Sequence, residues 1–346
     1  MSLAGRLAER IRSAGPVSVA EYMHLCLHDP RDGYYAVRPA IRADGDFITA
    51  PMVSQMFGEL TGLWLVLAWR AMGAPDRIIV AEMGPGDGTM MSDILRAARA
   101  DPDFAAAAEF WLIETSQPLK ARQQARLGGA VRWTTRLDET PADAPLLLVA
   151  NEILDCLPAR QFVRTAAGWV EQVVGLDGRG DLAWSRIPAA APVADAPQGA
   201  VVEVSEAQSA LGAALAARSL RDGGAALLVD YGRDRPGFGD TLQALYRHEK
   251  VDPLTLPGEA DLTVWADFPA VMAAARGQGA EAVIQTQAQF LARMGVGARA
   301  EALVRAQPDR AGAIGRQLDR LVGADAMGEL FKVCCLHPPG WDPPGF

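Results

Sequence analysis

Residues 81–95 read AEMGPGDGTMMSDIL and directly follow the apolar residues 78–80. The segment begins near an acid, continues with three glycines that alternate with other residues, and ends in a helix-like stretch. A glycine-rich turn between a strand and a helix can hold a dinucleotide, a nucleoside triphosphate or the methyl donor S-adenosylmethionine. The spacing of the glycines and the nearby acids must distinguish these three ligands.

The spacing favours the methyl donor. A dinucleotide-binding loop requires G-x-G-x-x-G, and counted from Gly84 its third glycine would fall at Thr89. A phosphate-binding loop requires Gly-Lys-Ser/Thr, and no lysine lies near this segment. The remaining pattern, acid-x-G-x-G-x-G, is typical of class I methyltransferases, with Glu82 as the acid and Gly84, Gly86 and Gly88 as the glycines.

The chemistry of the loop agrees with that pattern. Glycines carry no side chain, so the backbone can approach a ligand closely. The N-terminus of the following helix offers N–H groups and a partial positive charge to the donor's carboxylate. The acid at the end of the strand can attract the donor's ammonium group. We therefore predict S-adenosyl-L-methionine as the cofactor. The alternative is an ordinary turn with a surface acid.

A second acid ends the next apolar strand, FWLIETS. Nucleotide-binding α/β folds commonly place an acid at this point to accept hydrogen bonds from ribose hydroxyls. Glu114 lies further from Gly88 than the usual spacing of about 20 residues. The alanine-rich segment DPDFAAAAEF accounts for the extra length. We therefore predict Glu114 as a further cofactor-binding residue, with a solvent-facing glutamate as the alternative.

The composition of the chain excludes several classes of protein. The chain has 346 residues and a net charge of −9, which argues against binding to a nucleic-acid backbone and suits a cationic substrate or partner. Its four cysteines include no C-x-x-C pair, so we expect reduced thiols and no metal site. The N-terminus lacks the apolar region of a secretory signal, and the apolar run 60–73 is too short to span a membrane before Arg70. These features predict a cytoplasmic protein without membrane insertion, and we expect its source to be bacterial.

Short apolar strands alternate with helical stretches after residue 75, which predicts a mostly parallel α/β sheet covered on both faces. Ligands of such sheets bind beyond the carboxyl ends of the strands. Asn151, Glu152 and Asp155 follow the fourth strand, and Tyr231 lies at the end of the fifth. We expect these side chains to gather at one edge of the sheet. Capping of the following turn is the alternative for Asn151 and Asp155.

Two loops contribute further candidates. The loop GDFITAP contains Asp46 and Thr49, and the loop LYRHEKVDP contains His248 and Asp252. Together with Tyr231, these four side chains are candidates for substrate binding. A surface position is the alternative for the histidine.

Several longer segments together resemble the MidA family of S-adenosylmethionine-dependent methyltransferases. The resemblance spans nearly the whole chain and runs through VAEYMHLCLHDPRDGYY (19–35), GDFITAPMVSQMFGE (45–59), EMGPGDGT (82–89), NEILDCLPARQF (151–162), VDYG (229–232), DTLQALYRHEKVDPLTLPGEADLT (240–263), QTQAQFLARMG (285–295) and MGELFKV (327–333). The family includes a mitochondrial arginine methyltransferase that is required for the assembly of respiratory complex I.

The resemblance implies a Rossmann-like class I methyltransferase sheet of seven strands. The expected domains are an N-terminal helical extension (1–75), a methyltransferase core with an antiparallel strand insertion (76–235 and 159–187), an active-site loop with a helical insertion (236–325), and the last core strand with a tail (326–346). By position, Asn151, Glu152 and Asp155 fall in the family's motif beside the transferred methyl group. The implied activity is methyl transfer to an arginine of a protein, with a complex I subunit as the expected partner.

Carboxylates suit this chemistry. A guanidinium stays protonated, with a pKa above about 12, and is a poor nucleophile. A carboxylate can hold it in a bidentate fork and help to accept its departing proton. Glu152 is therefore the first catalytic candidate and Asp155 the second.

Three other functions stay open at this point. The chain could be a non-catalytic complex I assembly factor that retains the donor pocket, or a methyltransferase acting on a small molecule. A nicotinamide-dependent dehydrogenase is the third, and Thr89 in place of the third glycine argues against it.

Overall fold

The computed structural model describes residues 1–37, 49–193 and 195–346. The helices of these residues are α1 (Leu3–Ala14), α2 (Val19–His28), α3 (Tyr34–Val37), α4 (Ala50–Val53), α5 (Gln55–Ala71), α6 (Thr89–Ala98), α7 (Pro102–Ala107), α8 (Gln117–Leu127), α9 (Glu206–Asp222), α10 (Phe268–Gly277), α11 (Gln287–Arg293), α12 (Val296–Ala306), α13 (Ala311–Val322) and α14 (Met327–Leu330). The strands are β1 (Val17–Ser18), β2 (Ile78–Met83), β3 (Ala108–Ile113), β4 (Arg132–Thr134), β5 (Leu146–Asn151), β6 (Arg160–Thr165), β7 (Gly168–Leu176), β8 (Leu182–Ala189), β9 (Val201–Val204), β10 (Gly224–Arg233), β11 (Gln243–Tyr246), β12 (Glu249–Val251), β13 (Asp261–Thr263), β14 (Ala266–Asp267), β15 (Glu281–Thr286) and β16 (Phe331–His337).

The chain divides into two compact units. The parallel-sheet unit comprises the described residues of 47–153, 209–234 and 268–346. The antiparallel-sheet unit comprises the described residues of 1–46, 154–208 and 235–267. Both units are therefore built from separate stretches of the chain.

The parallel-sheet unit contains the central sheet, whose strands run in the order β15-β16-β10-β5-β2-β3-β4. The pairs from β10 to β4 are all parallel. Strand β16 is antiparallel to both of its neighbours, β10 and β15. This sheet confirms the predicted mostly parallel α/β fold.

Continuous apolar runs explain the position of the central strands. Nearly every residue of β2, β5 and β10 is buried, as expected for parallel strands covered on both faces. The apolar run 60–73 belongs to α5, which packs closely on α6, since a Cβ added at Gly62 would lie 2.7 Å from the Cβ of Ala97. No helix of the described residues has the length and apolar character needed to cross a membrane.

The antiparallel-sheet unit contains the predicted strand insertion. Its larger sheet has the order β1-β7-β6-β9, with β8 paired to β7, and all of these pairs are antiparallel. Strands β6, β7 and β8 are joined by short turns and correspond to the antiparallel stretch expected from the sequence. The unit therefore adds a separate sheet to the α/β core.

A smaller sheet in the same unit was not predicted. Strands β11, β12 and β13 pair in the order β12-β11-β13, within a segment that the sequence analysis treats as a loop. Arg247 and His248 form the two-residue turn between β11 and β12, with φ values of 53° and 66°. This left-handed geometry matches a type I′ hairpin, which ordinarily carries Asn-Gly. Because the turn carries Arg-His, the sequence pattern does not indicate a hairpin.

Strand β15 was also not predicted, because it lies in a region expected to be helical. It lies at the edge of the central sheet and pairs with β16 only at its inner side. Most of its residues are half-buried, so the segment lacks the long apolar run that marks β5 or β10. An edge position explains why the strand is hard to recognise.

The hairpin turn gives a testable prediction. A left-handed conformation costs a non-glycine residue about 1 kcal/mol, which glycine avoids. We expect His248→Gly to be more stable than His248→Ala by about 1 kcal/mol in urea unfolding, because both variants lose the imidazole and only one relieves the backbone. Equal stability of the two variants would contradict the assigned turn.

Candidate functional site

The carboxyl ends of β2, β3 and β5 bring four predicted residues to one edge of the central sheet. Glu82 lies in β2, where it pairs in register with residues of both β3 and β5. Glu114 directly follows β3, and Asn151 ends β5 with Glu152 next. The parallel register therefore places these polar side chains together, as the sequence predicts.

The glycine loop that follows β2 depends on the absence of side chains. Gly84, Gly86 and Gly88 have φ values of 66°, 54° and 81°. A Cβ at Gly84 would come within 2.5 Å of the Ile153 side chain, and one at Gly88 within 3.1 Å of Leu127. The backbone conformation favours glycine at all three positions, and the close contacts disfavour a side chain at Gly84 and Gly88.

The carboxyl group of Glu82 is buried beneath this loop. Its side chain hydrogen-bonds with the backbone of Met91 in α6, while Oε2 has no hydrogen-bond partner among the described residues. Burial raises the pKa of Glu82 to about 8, and the negative charges of Asp87 and Glu114 act in the same direction. The site therefore offers a buried carboxyl oxygen, unpartnered among the described residues, that a cation could bind.

Glu114 accepts hydrogen bonds from the backbone of Thr115 and from two further N–H donors. Its Oε1 accepts from the Ser116 backbone at 2.7 Å, and its Oε2 accepts from Gln123 Nε2 at 3.0 Å. Burial raises the pKa of Glu114, against the opposing effect of these hydrogen bonds. Each carboxylate oxygen can accept more than one hydrogen bond, so the group keeps capacity for a ligand hydroxyl.

Glu152 has a strained backbone. Its φ of 53° lies in the left-handed region that non-glycine residues seldom adopt. Its Oε1 accepts from Asn151 Nδ2 at 2.8 Å and from the Ala50 backbone at 3.4 Å. The buried Oδ1 of Asn151 has no hydrogen-bond partner among the described residues. Strain of this kind is concentrated at functional sites.

The other candidates are distributed as follows. Thr49 occupies the N-cap position of α4 without a capping hydrogen bond from its side chain, and Tyr231 lies buried in β10, in the same unit as the glycine loop. Asp155, His248 and Asp252 belong to the antiparallel-sheet unit.

Among these three, Asp155 is buried, His248 is exposed in the hairpin turn, and Asp252 accepts a hydrogen bond from the Leu254 backbone at 2.8 Å. Asp46 lies outside the described residues. The structure thus brings together the five cofactor candidates with Asn151 and Glu152. The substrate-binding roles of the other candidates stay hypotheses.

The sequence analysis missed Gln123. This fully buried residue donates from Nε2 to the Gly86 carbonyl at 2.8 Å and to Glu114, and its Oε1 accepts from Trp133 Nε1 at 3.0 Å. The available signal was the spacing of Leu119, Gln123 and Leu127, which all lie on the buried face of α8. A glutamine on an apolar helical stripe marks a buried polar contact.

Comparisons with known proteins identify the family of this site. Residues 60–286 match the sequence profile of a family described as "Putative S-adenosyl-L-methionine-dependent methyltransferase". The protein arginine methyltransferase NDUFAF7 of Rattus norvegicus is 34% identical over 369 residues, covering 96% of this chain and 83% of that protein. The Drosophila melanogaster homolog is 34% identical over 380 residues, covering 97% and 85%.

A solved structure is also similar. The protein from Burkholderia thailandensis, crystallised with S-adenosyl-homocysteine, has a TM-score of 0.86 and 30% identity, and the match covers 98% of this chain and 92% of that one. These findings confirm the predicted methyltransferase fold, the resemblance to MidA proteins and S-adenosyl-L-methionine as the cofactor.

The relatives also correct one prediction. The expectation of a bacterial cytoplasmic protein is wrong, because the curated relatives from rat and fruit fly are both named as mitochondrial proteins. The error arose because the absence of an apolar secretory signal was taken to indicate the cytoplasm.

The described residues fit the cofactor. The unpartnered Oε2 of Glu82 suits its ammonium group, and the glycine loop provides backbone without side chains. Glu114 has acceptor capacity for its ribose hydroxyls. We expect these groups to hold S-adenosyl-L-methionine in this chain.

The raised pKa of Glu82 predicts a pH dependence of ligand binding. Below pH 8 the free protein carries a proton on Glu82, and an ammonium ligand favours the ionised form, so binding releases that proton. The affinity for S-adenosyl-homocysteine should therefore rise between pH 6 and 7.5, by up to about tenfold per pH unit. Calorimetry at pH 7 in buffers of different ionisation enthalpy measures the proton release.

The control for this measurement is Glu82→Gln, which cannot ionise. We expect it to bind S-adenosyl-homocysteine more weakly and without the linked proton. A wild-type affinity that stays constant over the same pH range would show that Glu82 does not pair with the ligand.

The glycine loop gives a second prediction. Gly86→Val should abolish measurable binding of S-adenosyl-homocysteine, because a β-branched side chain cannot adopt a φ of 54° without strain and would project from the loop. Gly73→Val is the matched control, since Gly73 has a φ of 85° with no atom within 4 Å of an added Cβ. The control should lose stability and keep its affinity. Equal binding by both variants would remove the loop from the donor site.

Proposed function

The chain belongs to this family of S-adenosyl-L-methionine-dependent methyltransferases, and we propose that it methylates an arginine side chain of a protein. Support comes from the relatives named as protein arginine methyltransferases and from the carboxylate of Glu152 at the sheet edge. The resemblance to MidA proteins further suggests a subunit of respiratory complex I as the target. The single observation that carries the proposal is the strained, hydrogen-bonded Glu152.

We assign the cofactor contacts by chemistry. Glu82 binds the ammonium group, the three alternating glycines admit the ligand to the backbone, and Glu114 accepts from the ribose hydroxyls. The bound cofactor supplies an electrophilic methyl group. The remaining work, which falls to the protein, is to bind the target nitrogen, orient it and manage its proton.

Glu152 suits that work. A carboxylate attracts a guanidinium and can accept the proton that the nitrogen loses when it is methylated. The N–H groups of Asn151 and Ala50 fix Oε1 of Glu152, so the carboxylate does not need to reorganise when substrate binds. Asp155, three residues further along the chain, is the second candidate for the same role.

The wider charge pattern supports a cationic substrate. The chain carries a net charge of −9, and the pKa of Glu82 responds to the negative charges of Asp87 and Glu114. A region rich in carboxylates lowers the free energy of a bound guanidinium. Thr49 and Tyr231, in the same unit, are proposed to contact the substrate segment around the target arginine, and Asp46, His248 and Asp252 remain proposed substrate contacts elsewhere in the chain.

The experiment replaces one oxygen of Glu152 by nitrogen. Respiratory complex I subunits from a host that lacks this protein are incubated with enzyme and S-adenosyl-L-methionine, and methylated peptides are detected by mass spectrometry. Glu152→Gln should lower turnover at least about 100-fold, the usual effect of losing a proton-accepting group. Its affinity for S-adenosyl-homocysteine should stay within about twofold, since its contacts lie outside the glycine loop.

Glu114→Gln serves as the contrasting variant. It should bind the cofactor more weakly and keep its turnover when the cofactor is saturating. A fully active Glu152→Gln variant would remove Glu152 from the mechanism. A wild-type enzyme that binds S-adenosyl-homocysteine and methylates no subunit would favour a non-catalytic role in assembly.

A further inference from the structure

Gln123 joins three parts of the parallel-sheet unit with one side chain. Its two N–H groups reach the Gly86 carbonyl in the glycine loop and Oε2 of Glu114 after β3. Its oxygen accepts from the indole of Trp133 in β4. The residue is completely buried, so water does not replace these contacts.

The orientation of the amide is fixed by chemistry. The indole Nε1–H of Trp133 can only donate a hydrogen bond, so the Gln123 oxygen must face it. The NH2 group then necessarily points towards two groups that can only accept, the Gly86 carbonyl and the ionised Glu114. A flipped amide would place a donor against a donor and leave two acceptors unsatisfied.

We infer that Gln123 is a positioning residue that holds Glu114 as a hydrogen-bond acceptor for the ribose hydroxyls of the cofactor, and that it thereby sets the selectivity for a ribose over a deoxyribose. The inference rests on the cofactor role proposed for Glu114. Gln123 acts through Glu114 and does not itself contact the ligand.

Burial explains why Glu114 needs this contact. A buried carboxyl group tends to take up a proton, and burial raises the pKa of Glu114. The N–H donors of Gln123 and Ser116 favour the ionised form and occupy one direction at each oxygen. Without the Gln123 contact, the carboxyl group can rotate or retain a proton that competes with the ribose hydroxyls as a donor.

The second N–H group of the Gln123 amide links Glu114 to the glycine loop. Gly86 has a left-handed backbone, so its carbonyl direction depends on the whole loop conformation. The hydrogen bond from Gln123 ties that carbonyl to α8, where Leu119 and Leu127 anchor the same helical face. The relative position of the loop and the ribose acid is therefore set by one amide.

The test separates this positioning role from ordinary core packing. Gln123→Met keeps the side-chain length and removes the hydrogen bonds. Adenosine and 2′,3′-dideoxyadenosine compete with S-adenosyl-homocysteine, and the ratio of their dissociation constants reports the recognition of the hydroxyls. The wild type should prefer adenosine by about tenfold or more, and Gln123→Met should lose most of that preference, because a hydrogen bond to a charged group is worth about this factor. A general packing defect weakens the binding of both nucleosides equally and leaves the ratio of their dissociation constants unchanged.

Trp133→Phe is the matched control. It removes the donor to the Gln123 oxygen and leaves both N–H contacts in place, so the nucleoside ratio should remain within about twofold of wild type. Gln123→Asn is a second test variant in case Gln123→Met does not fold, since it keeps the polar amide and is too short to reach both acceptors. It should lose the same preference.

The outcomes are distinguishable. An unchanged ratio in a folded Gln123→Met or Gln123→Asn variant would overturn the positioning role. If the wild type binds S-adenosyl-homocysteine and does not distinguish the nucleosides, Glu114 is not the ribose acceptor and the inference fails, while the methyltransferase proposal stands. If the wild type does not bind S-adenosyl-homocysteine, the proposed donor site itself is wrong.

Discussion

The buried carboxyl group of Glu82 is the constraint around which the site is organised. An ionised carboxylate without full compensation is costly in a protein interior, and this one has an oxygen with no hydrogen-bond partner among the described residues. The free protein meets this cost by holding the proton, as the raised pKa shows. An ammonium ligand removes the cost. We therefore expect the same group that destabilises the free site above neutral pH to stabilise the complex.

The glycine loop and Glu152 both have left-handed backbone conformations, which carry a conformational free-energy cost for residues other than glycine. The three glycines take left-handed conformations cheaply, whereas Glu152 takes one at a cost of about 1 kcal/mol. Glycine at that position would relieve the strain and lose the carboxylate. Unlike the left-handed Arg247 and His248 of the hairpin turn, Glu152 takes this strain where a charged side chain leaves the end of β5, which supports a functional reason for it.

Sequence patterns predicted the parts of the site that adjoin strand ends. Glu82, Glu114 and Asn151 follow or end apolar runs, so the parallel sheet brings them together without knowledge of packing. Gln123 was missed because it acts from a helix and its partners come from three separate segments. The β11–β12 hairpin was missed because Arg-His replaces the usual turn residues. The protonation of Glu82 depends on the burial and neighbouring charges that only the folded chain creates.

The methyl donor and the proposed methyl acceptor are both positively charged. The methyl donor carries a sulfonium cation that the product lacks, and the proposed acceptor is a guanidinium. Asp87 and Glu114 already influence Glu82, so negative charges in this unit interact over the low-dielectric interior. Such a field attracts both cations and holds the neutral sulfur of the product less strongly. We therefore expect the carboxylates proposed to bind the cofactor to favour exchange of product for a new donor as well.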